Sequence, residues 1–324
     1  MHVTTTTVPS PPVLGPVGWI GRSLLAFTAY VGGVTMLALA SAAWALWPRF
    51  TREASDLPSF TKTVTYQLGW MLFMGIPLVG MVHIAIGSFL SLQAYYGSTF
   101  VDGTGAVVGV GLLRNLGGLM TGMTFAGLLA ARMIPELRIL SRRLPGGQFY
   151  AAPSEPDAQR RGASAGAPAC IPPSRLAAPR IAAAGIACLL LSQWGILVGT
   201  LVGWQASQSL MGISTEMFFM MMVKMMWFRD VTGLIIKGLL FGAVTAAICC
   251  YEGLARGFVG GEPAGLGSNT PDAVRGFAPP WSMPVFRATC LSLVAILLMN
   301  SSWFVLVYHA VPFYGPTLLA PPGP

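Results

Sequence analysis

The segment LLRNLGGLMTGMTFAGLLAARMIPEL, residues 112–137, decides the fold. It is apolar enough to lie in a bilayer, yet Arg114 stands near its start and Arg132 and Glu136 near its end. Its many glycines and alanines would let helices pack closely in lipid. A charge inside an apolar span usually faces a cavity or a partner, but Arg114 could equally snorkel to the interface from a helix end. The segment therefore predicts a membrane helix and leaves both interpretations of Arg114 open.

The composition of the whole chain is that of a membrane protein. Of its 324 residues, 54% are hydrophobic and only 9% are charged, whereas soluble domains are roughly 25% charged. The five cysteines lack the spacing of a metal site, and the three histidines are far apart. No catalytic or nucleotide-binding motif is present. We therefore predict an all-α integral membrane protein that is not an enzyme, with no metal, no cofactor in this chain and no nucleic-acid partner.

Uncharged runs predict about five transmembrane helices plus an N-terminal membrane-embedded or interfacial helix. The five predicted spans are 68–95, 106–134, 180–205, 231–254 and 285–311. The span 106–134 is long for a single crossing, which suggests tilt or a broken start. The run 23–47 is long enough to span, but Trp44 and Trp47 could instead anchor it in the interface.

The segments outside these spans complete the organisation. We expect a flexible tail at 1–21, the N-terminal helix and a connector at 22–67, a membrane body at 68–311 with a polar loop at 135–178, and a C-terminal tail at 312–324. The Met-rich run within 207–230 predicts an amphipathic surface helix. Its methionines could form a soft lipid-contacting surface or simply face the membrane.

The distribution of basic residues predicts the orientation. Nearly all Lys and Arg outside the spans fall before the first span, in the loop 135–178, or between the fourth and fifth spans. The other side holds only Lys224 and Arg229. The positive-inside rule then makes the N-terminus cytoplasmic and the C-terminus periplasmic.

Several segments, in this order and spacing, resemble the permease subunits of lipid-transporting ABC systems, the MlaE family. They are SLQAYYG at 91–97, the segment 112–137, PSRLAAPRIAAAG from 173, DVTGLIIKGLLFGAVTAAICCYEGL from 230 and LSLVAILLMN from 291. The resemblance covers roughly residues 60–311, and it rests on the set of segments rather than on one motif.

The departures from the family pattern are also informative. Asn115 stands where the family has an acid, Gly118 where it has proline, Leu128 where it has arginine, and Asn300 where it often has aspartate. The family's acidic cytoplasmic helix, which docks on the ATPase, would fall at 160–172, where this chain reads RRGASAGAPACIP without a carboxylate. The membrane body thus resembles the family more closely than the coupling surface does.

The resemblance implies a homodimeric, multi-pass transport subunit of the bacterial inner membrane. Its implied partners are a cytoplasmic ABC ATPase that hydrolyses ATP in a separate chain, a periplasmic MCE-domain lipid-binding protein, and membrane lipids. It implies a lipid cavity at the outer ends of the first, second and fifth spans, with these residues as lipid-binding candidates: Leu92, Gln93, Tyr95, Arg114 and Asn115. Because Asn115 replaces an acid beside Arg114, we expect a phospholipid or similar lipid with an anionic head group.

Further roles follow from position. The candidates for ATPase coupling are Glu136, Glu155, Asp157, Arg160 and Arg161. Lys237, inside the fourth span, would serve a packing or partner role or snorkel outward. Arg132 and Glu136 stand one helical turn apart, so they are expected to form a local ion pair.

Two rival functions remain open. A degenerate family member could act as a membrane scaffold or an ATP-independent lipid conduit, which the altered segment 160–172 favours. An unrelated channel or secondary transporter could use Arg114 and Lys237 as pathway charges, and it would be expected to contain inverted repeats.

Overall fold

A computed structural model of the chain describes residues 16–46, 59–97, 105–143, 173–254 and 282–310, and these are almost entirely helical. The α-helices are α1 (Pro16–Leu46), α2 (Phe60–Tyr96), α3 (Gly117–Arg143), α4 (Pro173–Met211), α5 (Thr215–Met225), α6 (Phe228–Leu254) and α7 (Ser282–Phe304). Within this part of the chain, six helices are long and apolar enough to cross a membrane, all except α5. The prediction of an all-α integral membrane protein is confirmed.

The helices extend beyond the apolar runs from which the spans were predicted. Helix α2 begins at Phe60, inside the expected connector, and α4 begins at Pro173, inside the expected polar loop. Proline is well suited to the first position of a helix because its missing N–H would be unpaired there anyway. Hydropathy marks the part of a helix that lies in hydrocarbon, so it underestimates helices that continue into the interface.

The broken start considered for the second span is present. Two π-helical segments, Ala106–Val110 and Leu112–Leu116, precede α3. Short π-helical segments interrupt the regular hydrogen-bond ladder and frequently occur at functional sites. Helix α5 packs directly on the first of them, because a Cβ on Gly105 would lie only 2.2 Å from the carbonyl oxygen of Phe218.

The turn between α4 and α5 follows from its residues. Gly212 adopts a left-handed φ of 66°, and its N–H bonds the carbonyl of Gln208 at 3.0 Å, which ends α4. Ser214 then accepts a hydrogen bond from the N–H of Met217 and begins α5. Phe218 faces the interior, whereas Met220 and Met225 are exposed. The expected amphipathic helix is thus present, confined to 215–225.

Helix α4 lies at the centre of the bundle and packs on α1, α2, α3 and α6. Glycines permit its closest contacts: a Cβ on Gly87 of α2 would lie 2.2 Å from the carbonyl oxygen of Gly199, and one on Gly242 of α6 would lie equally close to that of Ala184. Such backbone contact is how helices associate in lipid, where hydrophobicity provides no driving force between them.

The bundle has two ends that differ in their residues. We call the end where α2 and α4 begin the basic end, and the other the opposite end. Helix α1 contacts the basic end at two places. Trp44 lies against Phe60 and beneath Arg175, at the starts of α2 and α4, while Tyr30 packs edge-on against Tyr251, near the end of α6.

These two contacts lie roughly 21 Å apart along α1. If α1 were parallel to the other helices, its two contacts would lie at different depths of the bundle. Because both contacts lie at the basic end, α1 runs across that end. Most of its surface is exposed and apolar. Of the two alternatives for residues 23–47, these contacts favour a membrane-embedded helix at the interface.

Candidate functional site

The opposite end holds a buried ion pair between Arg114 and Asp230. Nε and Nη2 of Arg114 donate to Oδ1 and Oδ2 of Asp230 at 3.1 Å and 2.9 Å. The Asp230 side chain is fully buried and that of Arg114 is 30% exposed. A two-pronged pair fixes both the distance and the orientation of the guanidinium. Arg114 therefore has a protein partner that the sequence did not predict.

The start of α6 stabilises the Asp230 carboxylate. Asp230 is the third residue of α6, and its Oδ2 accepts a hydrogen bond from the N–H of Trp227 at 3.2 Å. This is the bond that an acid three residues into a helix makes in a capping box. The positive end of the helix dipole adds to the stabilisation of the negative charge.

Lys237 binds the π-helical segment from α6. Its Nζ donates to the backbone carbonyl of Arg114 at 2.6 Å, and the residue is 3% exposed. Lys237 therefore does not snorkel outward. Another buried side chain, His83 of α2, has Nε2 3.3 Å from the carbonyl oxygen of Gly117. Side chains from two neighbouring helices thus bond carbonyls at and just after the π-helical break.

Asn115 connects the same segment to α7. Nδ2 of Asn300 donates to Oδ1 of Asn115 at 2.7 Å. The two positions at which this chain departs from the family's acids are therefore in direct contact. We call the following residues the opposite-end cluster: Arg114, Asn115, Asp230, Lys237 and Asn300.

The other lipid-binding candidates lie at the end of α2. Leu92, Gln93 and Tyr95 are all exposed on its last two turns. Leu90, one turn earlier, is buried in a satellite core with Val108 of the first π-helical segment. The end of α2 therefore packs beside the break and presents an exposed apolar and aromatic surface.

Glu136 is at the basic end, in a second polar network. Its Oε1 accepts from Nη2 of Arg180 at 2.6 Å and from Nε2 of Gln67 at 3.0 Å. We call Gln67, Glu136 and Arg180 the basic-end network. It joins α2, α3 and α4. The ion pair expected between Arg132 and Glu136 is wrong, because Arg132 lies over the ring of Trp70 instead, 5.0 Å from its centroid.

The remaining candidates for ATPase coupling lie outside the described residues. These are Glu155, Asp157, Arg160 and Arg161. Among the residues that the structure does describe, no group of three His, Cys, Asp or Glu could hold a metal ion. The contacts of the opposite-end cluster are hydrogen bonds and an ion pair. The cluster can therefore stabilise the π-helical segment and present polar groups.

Sequence reasoning missed the role of Asp230 although a signal was available. Asp230 and Lys237 are seven residues apart, two turns along one helix face, and Arg114 is a further charge in an apolar span at this end. It also missed Glu252 of α6, which forms a two-pronged ion pair with Arg287 of α7 at the basic end.

Comparison with known proteins finds a distant similarity to one class of membrane protein. Residues 169–278 match the family described as Permease MlaE. A probable ABC transporter permease protein of Rickettsia typhi is 24% identical over 67% of this chain and 78% of its own length. One of Rickettsia felis is 22% identical over 79% and 89%. One of Synechocystis is 26% identical over 56% and 60%.

The described part of the chain is a multi-pass helical membrane bundle, and the proteins it is similar to are ABC transporter permeases, a class of transport subunit. The chain is similar to the MlaE permease family over residues 169–278, and its relatives named above are 22–26% identical to it.

Proposed function

We propose that this permease moves phospholipid, or a similar lipid, between the inner membrane and a periplasmic MCE-type carrier, as a homodimer with a cytoplasmic ATPase. The opposite-end cluster carries the proposal. Polar and charged side chains inside a membrane bundle are costly, and they usually mark a substrate path. Here they bond a π-helical break, which is the kind of irregular backbone found where membrane helices line a cavity.

The charges of the cluster favour a lipid with an anionic head group. The cluster contains two cations, Arg114 and Lys237, and one carboxylate, Asp230, so its formal charge is positive. Arg114 is partly exposed, and a guanidinium matches the geometry of a phosphate. The exposed surface of Leu92, Gln93 and Tyr95 would contact the acyl chains.

A photo-crosslinking amino acid at position 93 tests lipid binding at this site. The matched control is position 73, which is Phe73 in the middle part of the same helix and 74% exposed. In membranes containing the permease and its ATPase, we expect ATP to change the yield of crosslinked phospholipid at position 93 at least twofold and to leave position 73 unchanged. Equal yields with and without ATP at both positions would contradict the proposal.

Coupling to the ATPase is proposed through Glu136 and the segment that contains Glu155, Asp157, Arg160 and Arg161. The alternative is an ATP-independent conduit or scaffold, and the absence of a carboxylate from 160–172 is the observation that favours it. Deleting residues 155–172 distinguishes the two. We expect the full chain to pull down an ABC ATPase and the deletion to lose it. A full chain that binds no ATPase would support the alternative.

The homodimer is proposed to form through α7. Met283, Phe286 and Cys290 line an open groove of about 540 Å³ on this helix. Cys290 is exposed, whereas Cys188, Cys249 and Cys250 are buried. Mild oxidation in membranes should therefore link two chains in a Cys170→Ser background, and adding Cys290→Ser should abolish the link. A wild type that stays monomeric under oxidation would contradict an α7 interface.

The basic end is proposed to face the cytoplasm, with the N-terminus on that side and the C-terminus in the periplasm. Its arginines on α3, α4 and α7 agree with the positive-inside rule. A reporter fused to the C-terminus that is active only in the periplasm should be active.

A further inference from the structure

A cavity of about 260 Å³ opens at the basic end, away from the opposite-end cluster. It lies where four helices meet: the end of α1, the start of α2, the end of α3 and the start of α4. Its walls include the apolar side chains of Phe60, Leu140, Leu176 and Pro179. Its polar lining comes from Trp44, Thr63, Arg175 and Arg180.

Two buried donors at this cavity lack a hydrogen-bond partner among the described residues. They are Nε1 of Trp44 and Nε of Arg180. Arg180 is 94% buried, and its other nitrogens donate to Glu136 and to the carbonyl of Leu176. A buried N–H without an acceptor is costly, roughly 1–3 kcal/mol. The arrangement therefore fits an acceptor held inside the cavity.

The positive charge of the arginines that line the cavity favours an anion as its ligand. Arg175 lies over the ring of Trp44 at 6.0 Å, and no carboxylate among the described residues is paired with it. Glu136 balances only one of the two arginines that line the cavity. The available donors and the positive charge together match a phosphate, which has several strong acceptor oxygens.

The surroundings favour a phosphate that is attached to a lipid. Helix α1 runs across the basic end with most of its apolar surface exposed, and Trp44 on it forms one wall of the cavity. Tryptophan is enriched at the level of lipid head groups. The volume is below the roughly 300–1,000 Å³ of a site for a whole small molecule, so it suits a head group whose acyl chains lie outside along α1.

We infer that this cavity is a phosphate-binding site that holds the head group of an anionic phospholipid in the leaflet at the basic end. Basic pockets between membrane helices bind such head groups by this combination of charge and shape. Bound there, the lipid would connect α1 to α4 through Trp44 and Arg175. The site does not depend on the proposed lipid transport, because it lies at the other end of the bundle.

Native mass spectrometry of the delipidated full-length protein tests the inference. Phosphatidylglycerol and phosphatidylcholine with matched acyl chains are titrated separately. We expect Arg175→Gln to weaken phosphatidylglycerol binding about fivefold, as one basic residue near a lipid head group contributes about 1 kcal/mol. Trp44→Phe, which keeps a ring and removes the donor, should weaken it about twofold. Phosphatidylcholine binding should change less in both variants.

Two further variants serve as controls. Arg175→Lys keeps the charge and should retain most of the binding, whereas Arg22→Gln removes a basic residue near the other end of α1 and should leave binding unchanged. Thermal unfolding of every variant shows whether it is folded. Equal phosphatidylglycerol affinity in folded Arg175→Gln and wild type would overturn the inference.

Competition with inorganic phosphate distinguishes the two sources of the anion. Failure of millimolar phosphate to displace phosphatidylglycerol supports a lipid head group. If phosphate displaces phosphatidylglycerol from the wild type but not from Arg175→Gln, the phosphate site is supported and its ligand is free phosphate. If carboxylates of the chain itself fill the cavity, neither phosphatidylglycerol nor inorganic phosphate will bind there. That result would also overturn the inference.

Discussion

The opposite-end cluster and the basic-end network join their helices in different ways. In the first, a fully buried carboxylate holds Arg114 on a π-helical segment. In the second, Glu136 is 31% exposed and links regular helices. A buried charge depends almost entirely on its partner, whereas a partly exposed charge can also be hydrated. The comparison indicates that the opposite-end cluster is specialised for holding one backbone conformation.

The two ends also differ in what they leave open. At the opposite end, side chains bond the carbonyls around the break, and the cluster atom that is buried without a partner in the described part of the chain is an acceptor, Oδ1 of Asn300. At the basic end, a cavity remains beside Arg180, with unpaired donors among the described residues. The arrangement at the opposite end suits a path for a substrate, and the arrangement at the basic end suits a bound anion.

The largest effect is expected from Asp230→Ala. It leaves Arg114 without its carboxylate inside the membrane bundle, which should lower the free energy of unfolding by about 3–5 kcal/mol. Denaturant titration in detergent micelles measures it. The double variant Arg114→Leu, Asp230→Leu should recover part of the loss, because it also removes the guanidinium that the single variant leaves without its carboxylate. If Asp230→Ala is as stable as the wild type, the opposite-end cluster does not depend on its buried carboxylate, and the proposed difference between the two ends is wrong.

A smaller effect is expected from Lys237→Met. Methionine has a similar length but cannot donate to the carbonyl of Arg114, so the free energy of unfolding should fall by about 1–3 kcal/mol. Hydrogen exchange of the amides in 105–118 should rise if Lys237 holds the π-helical break. Unchanged exchange there would show that the break persists without the lysine.

Glu136→Gln should have a weaker effect, about 1–2 kcal/mol, because glutamine still accepts from the buried Arg180, although that guanidinium loses its counter-charge. The same unfolding titration measures it, with Glu136→Ala as the harsher comparison. A loss as large as that of Asp230→Ala would mean that the basic-end network is as dependent on its charge as the opposite-end cluster.

The smallest effect is expected from Asn115→Asp, which restores the acid typical of the family. Its carboxylate still accepts from Nδ2 of Asn300, so stability should change by about 0.5 kcal/mol or less. Asn115→Leu, which removes the acceptor, should cost about 1–2 kcal/mol. Equal effects of the two variants would contradict the role assigned to the Asn115–Asn300 bond.

The sequence predicted the elements that follow from local composition. Long uncharged runs located the membrane helices, and the excess length before residue 117 indicated the irregular start of the second span. The order of motifs indicated the resemblance to MlaE permeases, and the family match over residues 169–278 agrees with it. Arg114, Asn115 and Lys237 were singled out as separate residues, and the structure places them in one cluster.

The sequence did not predict which charges would pair, because partners are chosen by tertiary packing. Arg132 and Glu136 satisfy the spacing of an ion pair, but Trp70 and Arg180 offer better-placed contacts from neighbouring helices. Likewise, the position of α1 follows from Tyr251 and Phe60, which are distant in sequence. Neither the choice of ion-pair partners nor the position of α1 can be predicted from the local periodicity of the sequence.

The most direct test of the account is ATP-dependent transfer of phospholipid. Proteoliposomes containing the permease, its ATPase and a fluorescent phospholipid are mixed with an MCE-type carrier, and labelled lipid on the carrier is measured over time. The account predicts that the transfer rate changes on adding ATP and that an ATPase variant unable to hydrolyse ATP abolishes this change. A rate that is the same with ATP, without ATP and with the inactive ATPase would contradict it.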